Sequence, residues 1–193
     1  MAAAKTRFHH STLRAPVERT DSPLWVFAYG SLMWNPGFAV CETQAARLHG
    51  FHRAFCIYSE HYRGTPEQPG LILGLLAGGS CRGLAHRLPA NDYDAVRQYL
   101  WRREIENDGV YVEEVRPIHL ADGRAVPSLV YLADRAHRQF AGKLPIAKAL
   151  RLVRQGSGAT GTNIDYVRNT LAHLRELGLR DRNLEELARR AGA

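Results

Sequence analysis

Glu104 closes the segment Tyr99-Leu-Trp-Arg-Arg-Glu104 and is the first residue whose type and setting suggest chemistry. Asn91 suits a helix N-cap, and Tyr93, Val96, Leu100 and Arg103 follow at helical spacing. The helix they predict ends between 104 and 107, before Gly109. A carboxylate there faces the negative end of the helix dipole, which disfavours its charged form, and burial would raise its pKa further. Such a group can take up a proton and return it. Arg102 and Arg103 leave a plain surface ion pair as an equal alternative, and Glu106 is the nearest rival carboxylate. A second candidate is Tyr29-Gly30-Ser31-Leu32, where an apolar run gives way to a loop. Gly30 admits positive φ and close approach to the main chain, and successive N–H groups can cradle an anionic oxygen. The same four residues also read as an ordinary strand-to-loop turn.

Other chemistries have weaker support. Gly156-Ser-Gly-Ala-Thr-Gly161 fits G-x-G-x-x-G, but a helix rather than a strand precedes it, so it reads as a flexible helix–helix connection instead of a dinucleotide fingerprint. His49, His52 and His61 lack companions at ligand spacing, and no metal site is expected. Ser31 is not in a Gly-x-Ser-x-Gly context. The three cysteines, Cys41, Cys56 and Cys81, are scattered and read as buried thiols of a reducing cytoplasm. The net charge of +7 comes from dispersed arginines without a nucleic-acid motif, so a solvated basic surface is expected rather than a nucleic-acid partner. No apolar run is long enough for a membrane-spanning helix, and no membrane partner is expected.

The elements that must position these residues belong to a mixed α+β domain. Trp25-Val-Phe-Ala-Tyr29 reads as a buried strand and 51–58 as a second. Segments 71–76 and 82–88 read as a hairpin joined through 77–80. Segments 110–120 and 125–132 read as another, around Asp122-Gly123. Pro145 suits the first position of a helix carrying Ile146, Leu150 and Val153. Ile164, Val167, Leu171 and Leu174 form an apolar stripe stopped by Gly178, and Asn183 is the expected cap of a last helix. Strands in hairpins argue against a doubly wound sheet. The expected organisation is a flexible tail over 1–22 and one catalytic domain over 23–193.

Together, Phe27-Ala-Tyr-Gly-Ser-Leu-Met-Trp34 with Pro36 and Phe38, His52-Arg-Ala-Phe55, His61-Tyr-Arg-Gly-Thr-Pro-Glu67, Pro69-Gly-Leu-Ile-Leu-Gly-Leu75, Cys81-Arg-Gly-Leu-Ala-His-Arg87 and Trp101-Arg-Arg-Glu104 resemble the ChaC-type, glutathione-specific γ-glutamylcyclotransferases. The resemblance covers about 25–174. It implies the γ-glutamylcyclotransferase-like fold, a partly closed, mostly antiparallel barrel with a central helix and C-terminal helices. It implies a cytoplasmic lyase that takes glutathione to 5-oxoproline and cysteinylglycine without a cofactor. Glu104 matches the family's catalytic glutamate, and Tyr29, Gly30, Ser31 and Leu32 match its substrate-binding loop. Tyr111, after Gly109, matches its downstream tyrosine, although 105–110 is longer than in many relatives. Arg53 and Arg63 are candidates for the glycyl carboxylate, because a guanidinium can grip one bidentately. A cyclotransferase for other γ-glutamyl compounds and a non-catalytic γ-glutamyl-binding module are the competing readings. Oligomeric state is left open.

Overall fold

The computed structural model describes residues 25–106 and 109–193; the expected tail over 1–22 lies outside the described residues. Five strands close into a barrel in the order β1-β3-β2-β4-β5: β1 Trp25–Ala28, β2 Glu42–Ser59, β3 Gly70–Arg87, β4 Tyr111–Leu120 and β5 Ala125–Ala133. Every pairing is antiparallel except the one that seals it, β1 on β5. The barrel is therefore closed rather than partly closed.

Two strand expectations change. β2 begins at Glu42, nine residues before the expected 51, and the two segments expected as a hairpin are one continuous strand, β3. Gly78 and Gly79 do not turn the chain back. With φ of 99° and 70°, they bend β3 opposite Gly50 of β2, where the register shifts between His49 and Phe51. A glycine pair inside a strand accommodates a bulge as readily as a turn. The β4–β5 hairpin forms as expected, with Gly123 at φ 91°.

The barrel interior is filled from all five strands, including Trp25, Phe27, Leu48, Leu73, Ile118 and Val130. A second cluster lies outside it, where Val26, Ala28 and Leu71 meet four helices. The helices are α1 Tyr93–Trp101, α2 Ile146–Gln155, α3 Asn163–Glu176 and α4 Arg182–Ala191. β1 is buried on both faces because it separates these two clusters. α3 presents Val167, Leu171 and Leu174 to the outer cluster, and α4 adds Leu184 and Leu187. Each such fully buried leucine contributes about 2 kcal/mol.

Three helix starts differ from expectation. α1 is preceded by Asp92 rather than Asn91, and Pro145 sits just before α2 rather than inside it. α4 is capped by Asp181, whose carboxylate accepts from Leu184 N–H at 3.1 Å, and not by Asn183. The connection at 156–161 is a two-stranded hairpin, β6 Ser157–Gly158 and β7 Gly161–Thr162, rather than a flexible link. Its glycines permit contact with the 61–64 segment: a Cβ on Gly158 would lie 2.3 Å from the His61 carbonyl oxygen. Cys56 and Cys81 are buried as expected, but Cys41 is exposed. No described helix is long and apolar enough to cross a membrane.

Candidate active site

β1 ends at Ala28, and Tyr29 carries the chain over the end of the barrel. The 3-10 turn Ser31–Met33 follows at once, closed by Met33 N–H to Gly30 O at 2.9 Å and Trp34 N–H to Ser31 O at 3.2 Å. The N–H groups of Ser31 and Leu32 precede the first bond of that turn and meet no acceptor among the described residues. Gly30 has an ordinary φ of −135°, so positive φ is not what its glycine provides. A Cβ there would meet only Leu73 Cδ1, at 3.8 Å. The turn is held from below by His86, whose Nε2 donates to Leu32 O at 3.1 Å while Nδ1 accepts from Thr43 Oγ1 at 3.0 Å. Burial lowers the pKa of His86, which keeps the ring neutral and suits that pairing. Trp34 stacks on His173 of α3 with ring centres 4.5 Å apart.

Glu104 arrives from the other side. α1 packs Val96 and Leu100 into the outer cluster, and its Arg97 ion-pairs with Glu113 of β4 at 2.8 Å. The helix then widens into a π-helical turn, Arg102–Glu106, which carries Glu104. Such widened turns re-aim side chains and recur at functional sites. The Glu104 side chain is 16% exposed. Burial raises its pKa above the ordinary carboxylate value, and Arg103 opposes the shift.

Arg103 is the residue that sequence reasoning undervalued. Its Nε contacts Glu104 Oε1 at 3.1 Å, and its Nη2 donates to Ser31 Oγ at 3.0 Å. Its Nη1 donates to Asn35 O at 2.8 Å and reaches the Tyr99 hydroxyl at 2.9 Å. One guanidinium thus ties the carboxylate to the glycine-containing turn. The ion pair that competed with a catalytic role for Glu104 is part of the site.

These parts enclose a cavity of about 40 Å³ lined by Tyr29, Gly30, Ser31, Leu32, Leu73, Glu104, Tyr111, Tyr131 and Tyr166. Six of the eight residues singled out from sequence converge there. Tyr111 does so despite the long 105–110 segment, and its hydroxyl donates to Leu73 O at 2.7 Å. The Tyr29 hydroxyl donates to Tyr131 O at 2.9 Å. Burial raises the pKa of both phenols, so both remain hydrogen-bond donors. Tyr131 and Tyr166 were missed. Tyr166 lies beside the apolar stripe of α3, and a hydroxyl-bearing aromatic next to a buried stripe was the available signal. Burial pushes its phenol up to about 12.

The two arginines do not line the cavity. Arg53 is 6% exposed and held by three hydrogen bonds within the protein. Its Nε donates to Tyr29 O at 2.6 Å, its Nη2 to Arg82 O at 2.7 Å, and its Nη1 pairs with Asp181 at 3.2 Å. It braces the turn from beneath, with three of its five N–H groups engaged in this way. Arg63 donates to Thr160 O at 2.5 Å and lies over the Tyr166 ring at 5.2 Å.

A family model described as ChaC-like protein matches residues 24–192. A glutathione-specific γ-glutamylcyclotransferase from Escherichia coli is 36% identical over 167 residues, spanning 86% of this chain and 72% of that protein. One from Schizosaccharomyces pombe is 29% identical over 176 residues, spanning 81% and 85%. The crystal structure of a yeast γ-glutamyl cyclotransferase specific to glutathione superposes with a TM-score of 0.79 at 20% identity, covering 89% of this chain and 96% of that one. At that identity the superposition speaks for the fold.

Proposed function

The chain belongs to the ChaC-like protein family, and on that premise we propose that it is a glutathione-specific γ-glutamylcyclotransferase in which Glu104 moves the protons. The observation that carries this reading is one cavity holding together the Gly30–Leu32 main chain and a buried carboxyl group whose proton affinity is raised by burial.

The reaction follows from what the cavity offers. The substrate's α-ammonium gives a proton to Glu104, and the freed amine attacks the γ-carbonyl carbon of the same glutamyl unit. A C–N bond forms within a five-membered ring as the bond to the cysteinyl nitrogen breaks. The α-nitrogen loses two protons in all, and the cysteinyl nitrogen gains two, relayed through Glu104. The products are 5-oxoproline and cysteinylglycine. Nucleophile and electrophile belong to one molecule, so the step itself calls for no water, metal or cofactor. The protein's task is alignment, which can be worth about 7–11 kcal/mol. The unengaged Ser31 and Leu32 N–H groups are the proposed donors to the α-carboxylate or the developing oxyanion. One such donor is worth about 3 kcal/mol. Tyr111 is the proposed further donor. The setting we propose is the reducing cytoplasm, in keeping with three free thiols.

Incubation of the purified protein with glutathione, followed by chromatography for 5-oxoproline, tests the reading. Glu104→Gln should keep the fold and lower turnover by about 10²–10⁴-fold. Near-normal turnover in that variant would end the assignment.

A further inference from the structure

A cleft of about 450 Å³ borders the cavity, between the second half of β2, the first half of β3 and the facing parts of α2 and α4. Ala54, Phe55, Leu73 and Leu76 line it from the strands, and Leu184 and Leu187 face them from α4. Two features mark the wall it shares with the cavity. Leu73 lines both spaces. Phe55 of the cleft packs edge-on against Tyr166 of the cavity, with ring centres 6.0 Å apart. The charges of the cleft nearly cancel, since Arg53 pairs with Asp181 and Arg190 with Glu186. Lys143 is left as its one lysine or arginine without a carboxylate partner among the described residues.

We infer that this cleft receives the cysteinylglycine end of the substrate and that Lys143 binds the terminal carboxylate. The inference rests on the cyclotransferase reading, because it takes the scissile bond to lie beside Glu104. A cavity of 40 Å³ cannot also hold the two residues beyond that bond. The cleft borders that cavity through Leu73, and its volume falls within the roughly 300–1,000 Å³ usual for small-molecule sites. Its apolar strand face suits the cysteinyl side chain. Its single surplus positive charge matches the single carboxylate of the departing peptide. Of the two arginines expected to hold that carboxylate, Arg53 lines the cleft with its charge already paired with Asp181, and Arg63 lies outside the cleft and donates to Thr160 O. Lys143 is exposed, so its replacement leaves the fold intact.

Steady-state kinetics on Lys143→Ala and Lys143→Glu, with glutathione and with glutathione amidated at its glycyl carboxylate, provide the test. The KM for glutathione should rise roughly tenfold in the alanine variant and further in the glutamate variant, with kcat unchanged. The amide should bind all three proteins alike, about as weakly as glutathione binds Lys143→Ala. An unchanged KM for glutathione in Lys143→Glu, or a parallel rise for acid and amide, overturns the inference. A second measurement does not need turnover: glutathione is titrated onto Glu104→Gln and backbone amide shifts are followed by NMR. Perturbation of residues 142–149 and 183–190 is expected, and its absence also overturns the inference. If the wild-type protein releases no 5-oxoproline, the cyclotransferase reading fails, and the titration still decides whether the cleft takes the ligand.

Discussion

Because the Arg103 guanidinium touches both Glu104 and the Ser31 hydroxyl, one group sets the position of the acid and its proton affinity. Burial raises the Glu104 pKa while Arg103 restrains it, so the acid limb of the kcat/KM profile should lie above the ordinary glutamate value of about 4.3. Arg103→Met should move that limb to higher pH as well as reduce activity, and Arg103→Lys should recover part of the shift. A residue that merely supported the fold would lower the rate without moving the limb. The same pKa shift carries a stability consequence. A carboxyl group whose pKa is raised in the folded state favours folding when protonated and opposes it once charged. Glu104→Gln should therefore unfold at a higher temperature than the wild type at pH 7. The difference should vanish below the ordinary carboxylate range, as scanning calorimetry across pH can check.

At the scale of elements, the site depends on how firmly its supports are fastened to the barrel. Asn163 at the start of α3 accepts from Leu71 N–H at 2.6 Å and donates to Leu71 O at 2.8 Å, completing β3 where β2 pairs with it and β1 does not reach. Asn163→Ala would leave buried backbone groups unpaired and should cost roughly 3 kcal/mol in urea denaturation. On the opposite side of the barrel, Arg82, Arg47 and His119 stand directly across from one another on β3, β2 and β4. The like charges of the Arg47–Arg82 pair repel, so Arg47→Glu should stabilise the protein by up to about 1 kcal/mol in the same measurement. What sequence could reveal follows from the range of the forces involved. The α1 stripe, the Asp122-Gly123 turn and the apolar run of β1 are local patterns, and each appears at or near its expected place. The unity of β3 was hidden because Gly78-Gly79 suits a turn and a bulge equally, and only pairing with β2 decides between them. The bracing contacts of Arg53 were hidden for a related reason. Its type suggested a carboxylate clamp, but its partners Tyr29, Arg82 and Asp181 come from three distant parts of the chain.

On the scale of the whole molecule, the barrel and its helical layer share β1, which contributes alternate residues to both clusters. We expect residues 25–193 to unfold in one transition, with fluorescence and circular dichroism midpoints coinciding in a denaturant titration. The seam where Trp25 meets Ser128 and Val26 meets Leu129 bears on synthesis. At about 5–20 residues per second, the ribosome delivers β5 on the order of ten seconds after β1. During that interval an oily ribbon of four residues can be gripped along one edge only, by the far end of β3, while its other edge waits. The newborn chain is then open to mispairing with a neighbour on the same message, and chaperone capture should concentrate on that ribbon until the last strand of the barrel has emerged.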